Sequence, residues 1–395
     1  MTHERAARFL KRAQMPVPTL ALAVLALALA AQPATARTFT LLHTFSGGAD
    51  GATPQSALIM DANGNLYGTT SDGGSSNSGI IYKLDTTGNE TVLYTFTGGL
   101  DGQYPVGGVL RDKAGNLYGT TYDGGNAPNL AGTIYKLDTS GKETVLYNFT
   151  GVDDGGNPEC SLIADSAGNF YGTTEAGGTN NFGTVFKLDA KRNESVLYTV
   201  PGGPRGGNPL HGALVRDPAG NFYGTTAGGG GHAQGVVFKI DLAGNETVLH
   251  HFTGGADGGS PYWGLLRDSA GNLYGMTIAG GASNAGTVFK IDRAGKETVL
   301  YNFTGGADGK YPFASLTRDA ASNLYGTTSL GGASGQGTVF KLDTKGVETV
   351  LYSFTGGSDG ANPTTPVLRD AAGNLYGTTY QGGASGFGTV FKLTP

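Results

Sequence analysis

A closed seven-bladed β-propeller, with four antiparallel strands in each blade, is the fold that this sequence predicts. Three observations carry it. One repeat of about 50 residues occurs seven times. Each copy holds four short runs rich in Val, Thr, Tyr and Phe, bounded by Gly, Asp or Asn. The copies are also out of phase with the chain ends, so the fourth run missing from the last copy stands at the start, as Phe39 to Phe45.

The second copy shows the pattern. Run A follows a proline, Pro105 to Asp112. Run B, Leu117 to Thr121, follows an Asp-x-Ala-Gly-Asn turn. Run C, Gly132 to Asp138, follows a longer Gly-rich loop. Run D, Glu143 to Thr150, follows a turn around Gly141. The B-run turns carry Gly64, Gly115, Gly168, Gly220, Gly271, Ser322 and Gly373, spaced by 51, 53, 52, 51, 51 and 51 residues. Gly and Asn suit the positive-φ positions of such a turn, and Asp can cap its backbone. No segment after residue 37 has a helical apolar period. Seven A, B and C runs are followed only by Thr394 and Pro395, so joining the last C run to Phe39–Phe45 completes the seventh blade. That closure covers both open sheet edges and makes residues 37–395 one domain.

Strand alternation sets each B-run tyrosine (Tyr67, Tyr118, Tyr171, Tyr223, Tyr274, Tyr325, Tyr376) opposite in facing to the residue before it, with one of the two packing between blades. One lysine per C run, Lys83 to Lys392, is read as a strand residue with its stem on neighbours and its amine in water. Glycine supplies 70 of 395 residues, at fixed offsets between the runs, which marks tight turns rather than disorder.

Residues 1–36 read as a secretory signal peptide. Arg5, Arg8, Lys11 and Arg12 precede an apolar stretch from Val17 to Ala31, and Ala34-Thr35-Ala36 forms a small-x-small cleavage site. The expectation is a secreted or periplasmic monomer with no membrane span after cleavage. Four basic residues and one acidic residue leave with the peptide, taking the formal net charge from -5 to about -8. That balance argues against nucleic acid as a partner. The single cysteine, Cys160, excludes an intrachain disulfide framework and reads as a small buried hydrophobe.

The D-to-A and B-to-C connections are long and emerge on one face, the face where ligand contacts are expected. The candidate ligand-binding residues there are Asp50, Asp101, Asp154, Arg205, Asp257, Tyr262, Trp263, Asp308 and Asp359. The aspartates read first as turn caps. No calcium loop of the Asp-x-Asp-x-Asp-Gly kind is present, so no cofactor is assigned, and Ca2+ shared among blades is the single ion left open. No Gly-x-Ser-x-Gly elbow or His-Glu-x-x-His pair occurs, and no catalytic residue is assigned. Asymmetric chemistry needs blade-specific residues, and Arg205, His211, Glu159, Trp263 and Tyr262 are the few that stand out.

The repeat resembles the Gloeobacter/Verrucomicrobia (GloVer) tandem repeat. The resemblance rests on Gly-Asn-Leu-Tyr-Gly-Thr-Thr at Gly373 to Thr379, then Gly382-Gly383, then Gly-Thr-Val-Phe-Lys-Leu at Gly388 to Leu393, and it covers nearly all of residues 37–395. It implies an exported protein. Members with a C-terminal surface anchor differ from this chain, where Pro395 closely follows the seventh C run. The Asp-x-x-Gly-Asn-Leu-Tyr stretch also looks like turns in gluconolactonase-like and NHL-type propellers. The leading functional expectation is a non-catalytic propeller binding an extracellular glycan or protein. The alternatives are an extracellular hydrolase, lactonase or lyase with a central, metal-dependent site, and a structural component of a surface assembly.

Overall fold

The computed structural model describes residues 37–209 and 213–394; the predicted signal peptide and His211 lie outside the described residues. The described residues form one compact unit of seven four-stranded antiparallel sheets. In blade 1, strands A (Ile59–Met60), B (Leu66–Thr70), C (Ile80–Leu84) and D (Glu90–Thr95) pair in sequence order. Blades 2 to 6 repeat this order. Blade 7 takes A (Leu368–Arg369), B (Leu375–Thr379) and C (Thr389–Thr394) from the end of the chain and D (Thr38–Thr44) from its start. That D strand pairs with C from Thr38 opposite Thr394 to Thr44 opposite Thr389, with one irregularity between Leu41 and His43. Among the described residues no helix is long and apolar enough to cross a membrane.

The A strands are shorter than the sequence pattern suggests: only two residues of each pair regularly with B. The proline that opens each A run has no N–H to offer a ladder. In three blades a small side chain two residues after the proline takes over the pairing. Ser56 Oγ accepts the Thr69 N–H at 2.9 Å, Cys160 Sγ accepts the Thr173 N–H at 3.1 Å, and Thr365 Oγ1 accepts the Thr378 N–H at 3.4 Å. Cys160 is buried as expected, but it works as a hydrogen-bonding group as well as a hydrophobe.

Neighbouring blades are joined in three ways. The first is apolar. Leu66 packs into a cluster shared with blade 7 through Phe45 and Val390, while Tyr67 faces blade 2, beside Val109 and Leu117. The B-strand glycine makes room for the C-strand ring: a Cβ on Gly377 would lie 2.6 Å from Phe391 Cζ. The second is a hydroxyl bridge from the first B-strand threonine to a carbonyl of the next blade. Thr69 reaches Gly107, Thr120 reaches Cys160, and Thr378 reaches Pro54 across the closure.

The third is ionisable. A glutamate opens strand D in six blades: Glu90, Glu143, Glu194, Glu246, Glu297 and Glu348. Each has Oε1 buried with no hydrogen-bond partner. Burial pushes Glu143, Glu194, Glu297 and Glu348 up to about 7. The negative charges of Asp101, Asp154, Asp257 and Asp308, on the D-to-A loops of the preceding blades, add to the shift. At the joint between blades 6 and 7 the glutamate is replaced by Phe39, which stacks on Tyr352 at 4.2 Å.

The turn aspartates behave as the sequence suggests. Asp112 Oδ1 accepts the Asn116 N–H at 2.8 Å, and its Oδ2 accepts from Asn116 Nδ2 at 2.7 Å and from the Tyr118 hydroxyl at 3.1 Å. Burial opposes ionisation there, but these bonds outweigh it and lower its pKa.

The joint glutamates set a pH response. Their folded pKa lies above the unfolded value, so the folded state holds the extra protons. Stability is then full below the unfolded pKa and falls as pH rises from about 4.5 through about 7. Urea unfolding should show a midpoint that declines over this window. Glu143→Gln should recover about 1 kcal/mol at pH 8, after allowance for solvent screening at the joint, and have little effect at pH 5.

Candidate functional sites

Two places gather chemistry-bearing side chains: the mouth of the axial channel and the perimeter joints. The channel is lined by residues of the A runs from around the ring, among them Ile59, Leu110, Val215, Leu265 and Ser315, and holds a cavity of about 320 Å3. Trp263 borders this cavity and also a second one of about 220 Å3, whose walls are Gln55, Phe313, Thr364 and Tyr380. The indole thus stands between the channel and its mouth.

A repeated backbone device builds the mouth. The residue before each A-run proline is left-handed in all seven blades: Thr53, Tyr104, Asn157, Asn208, Ser260, Tyr311 and Asn362, with φ between 51° and 57°. This conformation is costly for a residue with a side chain. It is held by hydrogen bonding between blades, as where Tyr104 N–H donates to Ser78 O at 3.0 Å. The turn sends the chain inward, and the residue after the proline lands at the mouth. Those residues differ from blade to blade: Gln55, Val106, Glu159, Tyr262, Phe313 and Thr364 among the described ones. A second variable position follows the B-strand Thr-Thr or its equivalent and includes Ser71, Tyr122, Glu175 and Tyr380.

These two sets meet. Gln55 Nε2 donates to Ser71 Oγ at 2.9 Å. The Tyr262 and Phe313 rings lie 4.4 Å apart. The Tyr122 hydroxyl donates to Glu175 Oε2 at 3.0 Å. Burial pushes Tyr262 up to about 12, and the charges of Glu159 and Glu175 add to the shift. Tyr122 is raised further, by burial first and then by its bond to Glu175. Both phenols keep their protons at neutral pH. Asp123 is pushed up by burial, opposed by Asn157 and Gln103; Asn157 Nδ2 donates to its Oδ1 at 2.9 Å. The mouth therefore offers aromatic faces, protonated phenols and carboxylates within one half-buried ring.

Of the residues singled out from sequence, Tyr262, Trp263 and Glu159 are at this mouth. Asp50, Asp101, Asp154, Asp257, Asp308 and Asp359 are on the D-to-A loops as expected, but the structure engages them at the perimeter joints. Each caps its loop: Thr97 N–H donates to Asp101 Oδ2 at 2.8 Å, and the Tyr94 hydroxyl reaches the same oxygen at 2.9 Å. The same cap recurs at Asp50, Asp154, Asp257, Asp308 and Asp359. Arg205 also lies at a joint, with Nε 3.8 Å from Glu246 Oε2. Tyr122, Glu175, Gln55 and Tyr380 escaped the sequence reading. Aligning the seven copies column by column marks them, since they stand in the variable columns of an otherwise repetitive chain.

Among the described residues, one group of three can converge donor atoms on a cation: His43, Asp50 and Glu90, with one donor from each all within 4.8 Å of one another. It lies at the joint between blades 7 and 1, on the outermost strands and their loop, and not at the axis, where an ion shared among several blades would sit.

A model built on the Gloeobacter/Verrucomicrobia repeat matches residues 30–216 and 209–395. The chain belongs to the Gloeobacter/Verrucomicrobia repeat family. No curated protein matches this family member. Among solved structures it is similar to the extracellular domain of BT4673 from B. thetaiotaomicron, described as a candidate one-component system. The TM-score is 0.56 at 8% identity, over 89% of this chain and 39% of the other, so the chain spans about two fifths of that protein's length. It is also similar to a candidate 6-phosphogluconolactonase from Bacteroides uniformis, with a TM-score of 0.52 at 15% identity, over 79% of this chain and 88% of that one. At these identities the likeness is one of fold.

Arg205 supplies a test of the joints. Arg205→Asp installs the residue found at most other joints and replaces a cation beside Glu246 with an anion. Burial already raises the Glu246 pKa and Arg205 opposes it, so the variant should steepen the pH dependence of this joint, losing about 1 kcal/mol more than the parent between pH 5 and pH 8, as read from urea midpoints at the two pH values.

Proposed function

We propose that this family member is an exported propeller that takes a sugar or sugar lactone at its axial mouth and acts on it as a hydrolase, lactonase or lyase. One observation carries the reading. The blades are nearly interchangeable outside the perimeter joints and the ring at the mouth, and in that ring blade 3 contributes two glutamates, Glu159 and Glu175, near Tyr122 and Tyr262, with Trp263 also bordering the mouth. Aromatic faces suit the C–H faces of a sugar ring, and carboxylates and phenols suit its hydroxyl groups. Two carboxyl groups in one half-buried site can divide acid and base roles, one activating water or removing a proton while the other protonates a leaving oxygen. The hydrogen bond from Tyr122 orients Glu175 for such a role. The predicted signal peptide supports an extracellular or periplasmic setting.

A second reading is recognition without turnover, in line with a glycan-binding propeller. It is favoured by the number of aromatic rings at the mouth and by the occupation of Glu175 Oε2 by Tyr122.

Trp263 is the only tryptophan in the chain, so its emission reports on the mouth directly. Titration with a panel of oligosaccharides and aldonolactones should give a saturable change. Tyr262→Ala should weaken binding about tenfold, equivalent to about 1.4 kcal/mol. Glu159→Gln and Glu175→Gln should each lower kcat by about 10^2 to 10^4 while leaving affinity within a few-fold. Saturable binding with no turnover in the parent protein would select the second reading. A flat emission response across the whole panel would refute both.

A further inference from the structure

The His43 joint differs from its counterparts in a way that points to a ligand. At the equivalent joints a tyrosine hydroxyl donates to the loop aspartate at 2.8 to 3.0 Å, as Tyr94 does to Asp101 and Tyr147 to Asp154. At the joint between blades 4 and 5, His250 Nε2 keeps hydrogen-bond distance, 3.3 Å from Asp257 Oδ2. His43 Nε2 does not. It stands 3.9 Å from Asp50 Oδ2 and 3.9 Å from Glu90 Oε2. Those separations are too long for hydrogen bonds. Donors about 2.0 to 2.1 Å from one tetrahedral zinc stand about 3.4 Å apart, so His43 and each carboxylate would close by about half an ångström on binding an ion.

Two further observations favour an ion. The Glu90 side chain is only 10% exposed, with Oε1 unpartnered as at the other joints, and here alone among the described residues an imidazole nitrogen, His43 Nε2, is also buried without a hydrogen-bond partner. Asp50 is held in place from behind, because its Oδ2 accepts the Ser46 N–H at 2.8 Å and Oδ1 accepts the Ser46 hydroxyl. The His43 ring is fixed edge-on against Phe45 at 4.7 Å. Such outer bonds and packing orient metal ligands. Asp50 remains 23% exposed, which leaves a route for entry.

We propose that His43, Asp50 and Glu90 form a site for a divalent cation of the zinc class, which ties the N-terminal strand and its loop to blade 1, next to the ring closure. The donor set decides the class. One imidazole nitrogen with two carboxylates suits zinc, which accepts three protein ligands and a water, whereas calcium takes six to eight oxygens. Two carboxylates and a neutral imidazole balance the charge of one divalent ion. The position gives the site its purpose. His43 and Asp50 belong to the strand and loop that complete blade 7, and Glu90 belongs to blade 1, so an ion bound by all three ties the first residues of the fold to the neighbouring blade.

The test uses the tag-free chain stripped of metal, with calorimetric titration and thermal melting in zinc, calcium or magnesium chloride. One zinc per chain is expected, with a melting midpoint that rises saturably in zinc and is unmoved by calcium or magnesium. His43→Tyr installs the residue of the Tyr94 joint. It should fold, keep its metal-free midpoint within a few degrees, and lose the zinc response. Glu90→Gln should weaken zinc at least tenfold, and His250→Tyr should leave zinc binding unchanged. Zinc bound equally well by the parent and His43→Tyr, a response to calcium in place of zinc, or no response to any of the three would overturn the proposal.

Discussion

Everything in this structure depends on the joint between adjacent blades. A four-stranded sheet of this size has two apolar faces and no helix to cover either. Each blade buries its faces only against the next, as Tyr67 and Ile81 of blade 1 do against Val109 and Leu117 of blade 2. A ring satisfies this condition for every member; an open stack leaves two faces bare. Closure is therefore a requirement of burial, and pairing the first strand with the last C strand meets it. The cluster across that closure, with Phe45 and Val390 packed on Leu58 and Tyr82, has the same composition as those inside the ring.

The joints also hold charge that apolar packing alone would exclude. A glutamate next to an aspartate in a half-buried seam is costly when both ionise, and the raised pKa values at five joints record that cost. The exceptions relieve it in different ways. Arg205 sets a cation beside Glu246, and Phe39 substitutes a stacked ring for the acid. At the Asp50–Glu90 joint, which is one of the five, His43 stands beside both carboxyl groups, and a divalent ion bound there would neutralise them. Variation at the perimeter thus follows one electrostatic problem, while variation at the mouth has no such structural demand. Gln55, Glu159, Tyr262, Phe313 and Thr364 occupy one backbone position held by the same left-handed turn, so their diversity is available for recognition.

Architecture was legible in the sequence because it is written seven times. The Asp-x-Ala-Gly-Asn turn, the alternation of Leu and Tyr, and the displaced run at Phe39 to Phe45 each encode local geometry or a pairing that a single period reveals. The A strands were legible only in part: proline marks their start, but the handover of pairing to Ser56, Cys160 and Thr365 side chains depends on how closely the chain approaches strand B. Tyr262, Trp263 and Glu159 stood out as blade-specific residues. Their meeting with Tyr122 and Glu175, more than 80 residues from Tyr262, did not.

By itself the sequence determined the blade count, the strand order, the turn chemistry and the way the ring closes, since all of these follow from short-range pattern and from counting. Only the tertiary structure decided which aspartates point where. The loop aspartates and the strand-D glutamates lie about 40 residues apart in the chain, and they meet because consecutive blades stack face to face. The same stacking moved the acidic loops to the perimeter and left the axial mouth to the residues that follow each proline. Pattern within a repeat is local, whereas a site assembled from single residues of several blades exists only once the ring has closed.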